Sequence, residues 1–301
     1  MKIFHIGICV YPKPIWLASA LMKASTEYIE CLPDTPDNLI LQMAIDFQPD
    51  LTFMQIQTPN VVMPETVRRL PGLVINWTGD CRQPIPAWFY HMAPHCITCF
   101  SNQKDVDEFK AKGLRSEFLQ IGIDPNIFNK WGGAGGEIVF MANNYGNQFP
   151  LGNYRREVGL ILKKKYGERF KWFGNGWQQA DGNLNGSQLD ESKYYNGSKI
   201  GINVSNYNLD RYSSDRIFRI MGSGCFCLSH KFTGIEKDFV IGEHLDVFND
   251  HADMCNKINH YLANDEARNR IAENGYKLVQ ENYSCDAMVS NALEIYKQYK
   301  R

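Results

Sequence analysis

Tyr212-Ser-Ser-Asp-Arg-Ile-Phe-Arg-Ile-Met-Gly-Ser-Gly-Cys-Phe-Cys-Leu228 is the stretch on which the reading of this chain turns. It follows an apolar run, Ile200-Gly-Ile-Asn-Val-Ser205, that reads as a strand. Ser213, Ser214 and Asp215 suit the start of a helix, because their side chains satisfy its unpaired amides. Ile217, Ile220 and Met221 then recur at helical spacing, Gly222 and Gly224 close the helix, and Cys225 to Leu228 reads as the next strand. A helix that starts at the end of a strand aims free N–H groups and a positive dipole at whatever lies there. The stretch is therefore either one more strand–helix–strand unit of a parallel sheet or, beyond that, a cradle for an anion.

The same alternation runs outward in both directions. Upstream, strands are expected at 2–10, 27–31, 51–55, 73–77, 96–101 and 116–120, with helices at 16–24, 37–47, 64–70, 87–92 and 102–112 between them. Trp131-Gly-Gly-Ala-Gly-Gly136 then breaks the pattern and reads as a flexible linker. A second series follows: strands at 137–143, 170–174, 200–205, 225–228 and 245–248, and helices at 153–166, 251–262, 265–274, 275–282 and 285–300. The expected fold class is α/β: two Rossmann-like domains facing across a cleft, 1–130 and 137–284, joined by the linker 131–136 and followed by a terminal helix, 285–301.

Composition narrows the function. Of 301 residues, 44% are hydrophobic and 22% charged, and the formal net charge is −1, which gives no global field for nucleic acid. The basic run Lys163-Lys-Lys165 complements a helix C-terminus. Nine cysteines without paired metal-ligand spacing point to buried free thiols in a reducing compartment. No apolar run reaches the ~20 residues needed to cross a bilayer, and Met1 to Gly7 reads as a first strand rather than a leader, so a cytoplasmic location is expected.

Several segments resemble group 1 glycosyltransferases. Gly122-Ile-Asp-Pro-Asn-Ile-Phe128 is similar to the segment that closes their first domain. Arg216 to Phe226, Thr233-Gly-Ile-Glu236 and Glu281-Asn-Tyr283 resemble the second domain of the spore-maturation-type branch, and Trp77-Thr-Gly-Asp80 resembles short phage and bacterial members. The resemblance implies a GT-B fold that moves a sugar from a nucleotide-sugar donor, expected to be UDP-linked, to an acceptor hydroxyl without a metal or other cofactor. It also implies that the last helix crosses back to the first domain. The acceptor stays open among a glycan, a small molecule, a protein and a modified DNA base, though the near-zero net charge does not favour DNA. Stereochemistry stays open too. A non-catalytic nucleotide-sugar-binding protein and a nucleotide-sugar epimerase are the alternatives on the same scaffold.

The candidate residues follow from this. Ser213, Ser214, Asp215 and the amides behind them are the expected phosphate cradle, with Arg216 and Arg211 as cations or as partners in structural ion pairs. Arg216→Ala is expected to weaken donor binding and leave the fold intact. Gly174-Asn175-Gly-Trp177 is the expected base site, with Trp177 stacking on the base or simply packed in the core, and Asn143 lies in the loop after the first strand of that domain. Gly234 is expected in the donor site, and Glu236 either holds donor hydroxyls, as a catalytic residue, or caps a helix. Asp80, after a strand of the first domain, is the candidate base, or else the anchor of a turn. His5 is expected to be buried, while His91, His230 and Arg82 are weaker site candidates. The resemblance also exposes a departure. Retaining relatives carry glutamates at the positions of Arg211 and Arg219, the second of which holds the nucleotide ribose.

Overall fold

The computed structural model describes residues 1–8, 16–133, 135–183 and 187–300. They form two compact units, Met1–Gly122 with Cys285–Arg301, and Ile123–Ser284.

The first unit runs β1 (Lys2–Ile6), α1 (Trp16–Ala24), β2 (Glu27–Cys31), α2 (Asp37–Phe47), β3 (Leu51–Met54), α3 (Pro64–Arg69), β4 (Leu73–Thr78), α4 (Ala87–Met92), β5 (Ile97–Phe100), α5 (Gln103–Ala111) and β6 (Ser116–Phe118). All six strands are parallel in the order β2-β1-β3-β4-β5-β6. Strands buried on both faces are mostly apolar, as β3 and β5 are: both are buried at every position, with one threonine each. One face packs Phe4, Ile6 and Met54 on helices α2 to α5; the other packs Ile3, Phe53 and Trp77 on α1 and on the last helix. Strand one, expected to reach Val10, ends at Ile6, and Cys9 and Val10 lie outside the described residues.

The second unit continues with β7 (Ile138–Met141), α6 (Gly152–Tyr166), β8 (Phe170–Phe173), α7 (Gln188–Asn196), β9 (Ile200–Asn203), α8 (Asp215–Gly222), β10 (Phe226–His230), β11 (Asp246–Phe248), α9 (His251–Ala263) and α10 (Asp265–Asn282). Its five strands are again parallel, ordered β11-β10-β9-β7-β8. The two helices expected across 265–282 are a single one. The final helix, α11 (Cys285–Lys300), belongs to the first unit, where Met288, Val289 and Ala292 join the core beneath Leu51 and Ile97.

The units divide ahead of the glycine run, at Gly122. Ile123 donates its N–H to the Tyr283 carbonyl at 2.9 Å, and Gln280 donates to the Phe128 carbonyl at 2.8 Å. These bonds tie the segment after Gly122 to α10. Within the stretch read as a linker, Gly133 and Gly135 pass close to the C-terminal part of α7. A Cβ on Gly133 would lie 2.1 Å from the Lys193 carbonyl oxygen, so there the glycine serves close approach rather than flexibility.

Candidate functional site

In a parallel sheet the crevice for a ligand opens beyond the carboxyl ends of the strands where their order reverses. In the second unit that point lies between β7 and β9. The opening stretch of sequence lands there: β9 ends at Asn203, the chain loops to Ser214, and α8 starts at Asp215.

Arg216 fills the gap between the strand ends. Its Nε donates to the Met141 carbonyl after β7, and Nη1 to the Val204 carbonyl at 3.0 Å and the Ser214 hydroxyl at 3.2 Å. Ser214 donates onward from Oγ to Asn203 Oδ1 at 3.1 Å, and its N–H reaches Ser205 Oγ at 3.2 Å. Ser214 is the N-cap residue, yet its hydroxyl serves this network instead of capping the helix. Ser213 is buried beside it. Arg216 thus ties two strand ends together, so Arg216→Ala bears on the fold as well as on any bound anion. Removing it leaves buried carbonyls without a donor, which costs about 1–3 kcal/mol for each.

A second cation stands close by. Arg155, in α6, is 2% exposed, donates to Asn206 Oδ1, and keeps its Nε buried without a partner. Burial, helped by the neighbouring Arg216, lowers its pKa from 12.5 to about 9. Among the described residues neither Arg155 nor Arg216 has an acidic partner. Two sheltered guanidinium groups without an acidic salt-bridge partner, near a helix N-terminus, are an arrangement chemically suited to a multiply charged anion. Sequence reasoning missed Arg155. The available signal was a basic pair, Arg155-Arg156, near the start of a helix with no acid in its first turn, where the dipole disfavours cations.

The other candidates divide. Arg211 is not aimed at an anion: it grips Asp238 with Nε at 2.9 Å and Nη2 at 2.8 Å, and Tyr283 also donates to that carboxylate. Asp215 is bound by Arg219 at 2.6 Å, one turn along its own helix. Trp177, partly buried, packs on Trp172 with ring centroids 4.8 Å apart and donates its indole N–H to the Ala142 carbonyl. Gly174 is required by the backbone: its φ is 144° and a Cβ would lie 2.0 Å from the Ala142 oxygen. Asn143 and Asn175 are joined at that crossing, the Asn175 amide donating to Asn143 Oδ1 at 2.9 Å. These residues build the rim of the crevice. Gly234, at φ 75°, lets its turn pass Asp210 closely, and the Glu236 that follows is exposed.

In the first unit Asp80 follows β4 with an exposed carboxylate 3.9 Å from Arg82. The loop beneath it is pinned: Ser101 Oγ donates to the Gly79 carbonyl, Thr78 Oγ1 to the Asp80 carbonyl, and Gln83 to buried Asp105 at 2.6 Å. His5 is buried. His230 stacks near Tyr154, which in turn lies 4.6 Å from the His251 ring. The eight cysteines among the described residues are free and buried, and burial pushes the Cys81 thiol up to about 12. Among the described residues no group of three His, Cys, Asp or Glu converges as a metal site, and no helix is long and apolar enough to cross a membrane.

Sheet order, crossovers and the crevice define a GT-B fold, two Rossmann-like α/β domains, and solved structures of that class match along the whole chain. HepE from Anabaena, solved with UDP and glucose, matches at TM-score 0.68 and 10% identity over 99% of this chain and 100% of that one. A glycosyltransferase from Rickettsia africae matches at 0.64 and 12%, covering 99% and 98%. A DNA-modifying β-glucosyltransferase, studied with and without uridine diphosphoglucose, matches at 0.64 and 12%, covering 98% and 99%. Residues 155–294 match the family described as "Glycosyl transferase-like". The matched span runs from Arg155 through α8, so the chain carries a glycosyl transferase-like region within a GT-B fold. No curated protein sequence matches the chain.

Proposed function

We propose that this protein is a glycosyltransferase that takes a sugar from a uridine diphosphate sugar and delivers it to an acceptor hydroxyl. The observation that carries the reading is the pair of sheltered arginines, Arg155 and Arg216, without acidic partners at the N-terminus of α8. The chemistry asks for such a pair. As the glycosidic bond breaks, negative charge grows on the leaving diphosphate, and fixed cations and helix amides stabilise it at little reorganisation cost. The two guanidinium groups supply positive charge that a bound metal supplies in other transferases, so the reaction is read as metal-independent. The uridine assignment rests on the solved neighbours, among them HepE with UDP and glucose or with UDP-glucose, and the β-glucosyltransferase with uridine diphosphoglucose.

On this reading Asp80 takes the proton from the acceptor hydroxyl. It is an exposed carboxylate on a loop held by three hydrogen bonds, and such a group keeps its geometry without losing access to a substrate. Glu236, exposed after the turn at Gly234, is assigned to donor hydroxyls. Localisation in the cytoplasm accompanies the reading, since nucleotide sugars and reduced thiols meet there.

A thermal-shift panel of nucleoside diphosphates and their sugars tests the proposal, followed by release of nucleoside diphosphate from the sugar that binds. Stabilisation by UDP-sugars with slow UDP release is expected. No stabilisation by any nucleoside diphosphate would refute it, and tight binding without release under any acceptor would reduce the protein to a binding module.

A further inference from the structure

We infer that the cleft between Trp131 and α7 is a second sugar site, which binds a neutral saccharide apart from the crevice at α8. The inference goes beyond the transferase reading above and stands or falls separately from it.

The cleft lies wholly within the second unit and encloses about 400 Å³. Small-molecule sites commonly measure about 300–1,000 Å³. One wall is the segment 131–133, and the other is α7, from which Leu189, Asp190, Lys193 and Tyr194 line the space. Neither Arg155, Arg216 nor the serines of the crevice contribute to it. Trp131 is 58% exposed and Leu189 48%. Single exposed apolar residues are ordinary, but an indole and a leucine that share one concave site mark a place for a ligand.

Both aromatic walls are held in place. The indole N–H of Trp131 donates to the Ile127 carbonyl at 3.1 Å. The Gly132 N–H donates to Asn196 Oδ1 at 3.3 Å, and Asn196 donates in turn to the Asn129 carbonyl at 2.6 Å, so this wall is tied to α7. On the other side Tyr194 packs on Phe173 with ring centroids 4.4 Å apart. Rings fixed beforehand lose little freedom when a ligand arrives.

The chemistry of the walls selects the occupant. Asp190 and Lys193 pair at 3.6 Å, each about half exposed. Their charges cancel, so the cleft gives no preference to an anion or a cation. They still offer a carboxylate acceptor and ammonium donors to hydroxyl groups. The aromatic faces carry partial negative charge and attract polarised C–H bonds. A pyranose combines these features, with C–H bonds across its flat face and hydroxyls around its edge. A second copy of the chain fits less well: one indole and one leucine fall far short of the roughly 1,000 Å² that a stable protein interface buries.

The test is calorimetry of the full chain with maltotriose, cellotriose and triacetylchitotriose, beside a heparin-derived tetrasaccharide and UDP. At least one neutral trisaccharide is expected to bind with a Kd of about 1 mM or below, and saturating UDP should leave that value unchanged. Trp131→Ala should weaken the trisaccharide by roughly tenfold or more. Trp131→Phe keeps a ring but loses the bond to Ile127, and should stay within about threefold of the wild type. Both variants should retain the melting temperature and the UDP affinity of the wild type. The inference is overturned if no neutral trisaccharide binds the wild type below about 10 mM, or if Trp131→Ala binds it equally well. Tighter binding of the heparin fragment than of every neutral trisaccharide also overturns it. So does a dimer in sedimentation that Trp131→Ala abolishes, which would give the cleft to a second copy. Trisaccharide binding through Trp131 in a protein that ignores UDP would sink the transferase reading and leave this one standing; UDP binding without any trisaccharide would do the reverse.

Discussion

Arg155→Met should make the empty protein more stable and the diphosphate site weaker. The two effects have one cause. Arg155 ionises near 9 instead of at 12.5, because it is buried and because Arg216 lies close. At 1.36 kcal/mol for each factor of ten, holding the charge in the empty site costs about 5 kcal/mol. A lowered pKa means that the unfolded chain holds this proton more tightly than the folded one, so the penalty is fully present at every pH below about 9. Methionine has similar length and no charge. It forfeits the bond to Asn206, worth about 1.5–3 kcal/mol for a charged donor, and leaves a net gain of about 2 kcal/mol. For a chain of 301 residues that is an increase of about 3 °C in apparent Tm. UDP affinity should fall by roughly ten- to a hundredfold, the loss of charge-assisted bonds to phosphate. Differential scanning fluorimetry without ligand and calorimetry with UDP read the two halves separately. A Tm that drops by several degrees makes Arg155 a structural residue, and an unchanged UDP affinity removes it from the site; either result refutes the reasoning.

Three further outcomes follow from the same geometry. Asp80→Asn should lower sugar transfer by ~10²–10⁴-fold and leave UDP affinity unchanged; steady-state rates beside calorimetry decide it, and wild-type transfer would remove Asp80 as the base. Gly174→Ala forces a Cβ to within 2.0 Å of the Ala142 oxygen at φ 144°, and should cost at least about 2 kcal/mol in chemical denaturation. His5 is fully buried, and burial lowers its pKa from 6.5 to about 4. The unfolded chain therefore binds the extra proton first as the pH falls. Stability present above pH ~6.5 should be lost toward pH ~4, by about 3 kcal/mol in all, and His5→Asn should flatten that part of the profile measured by urea denaturation.

Alternation of apolar runs with helical periodicities determined the α/β class, and nearly every strand and helix lies where those local patterns put it. Such patterns are local because a buried parallel strand must be apolar along its length and a crossover helix must be apolar on one face. The opening stretch was likewise legible as a strand, a cap and a helix: Ser214 does occupy the N-cap, and α8 does begin at Asp215. What the charged and small residues do was decided by the tertiary structure, because a partner distant in sequence fixes each role. Arg211 and Arg216 look alike in the chain, yet Asp238 takes the first, while the second faces two strand ends and no acid. Trp177 packs on Trp172 and donates to the Ala142 carbonyl, and Gly133 and Gly135 pass close to α7. Arg155 carried no motif at all. Charge without a neutralising neighbour is a property of folded space, since Coulomb energy and desolvation depend on what surrounds a group in three dimensions. By itself the sequence determined the frame and the end of the sheet at which a ligand would sit. Only the folding of α6 and α8 around that end decided which cations stand there without an acidic salt-bridge partner.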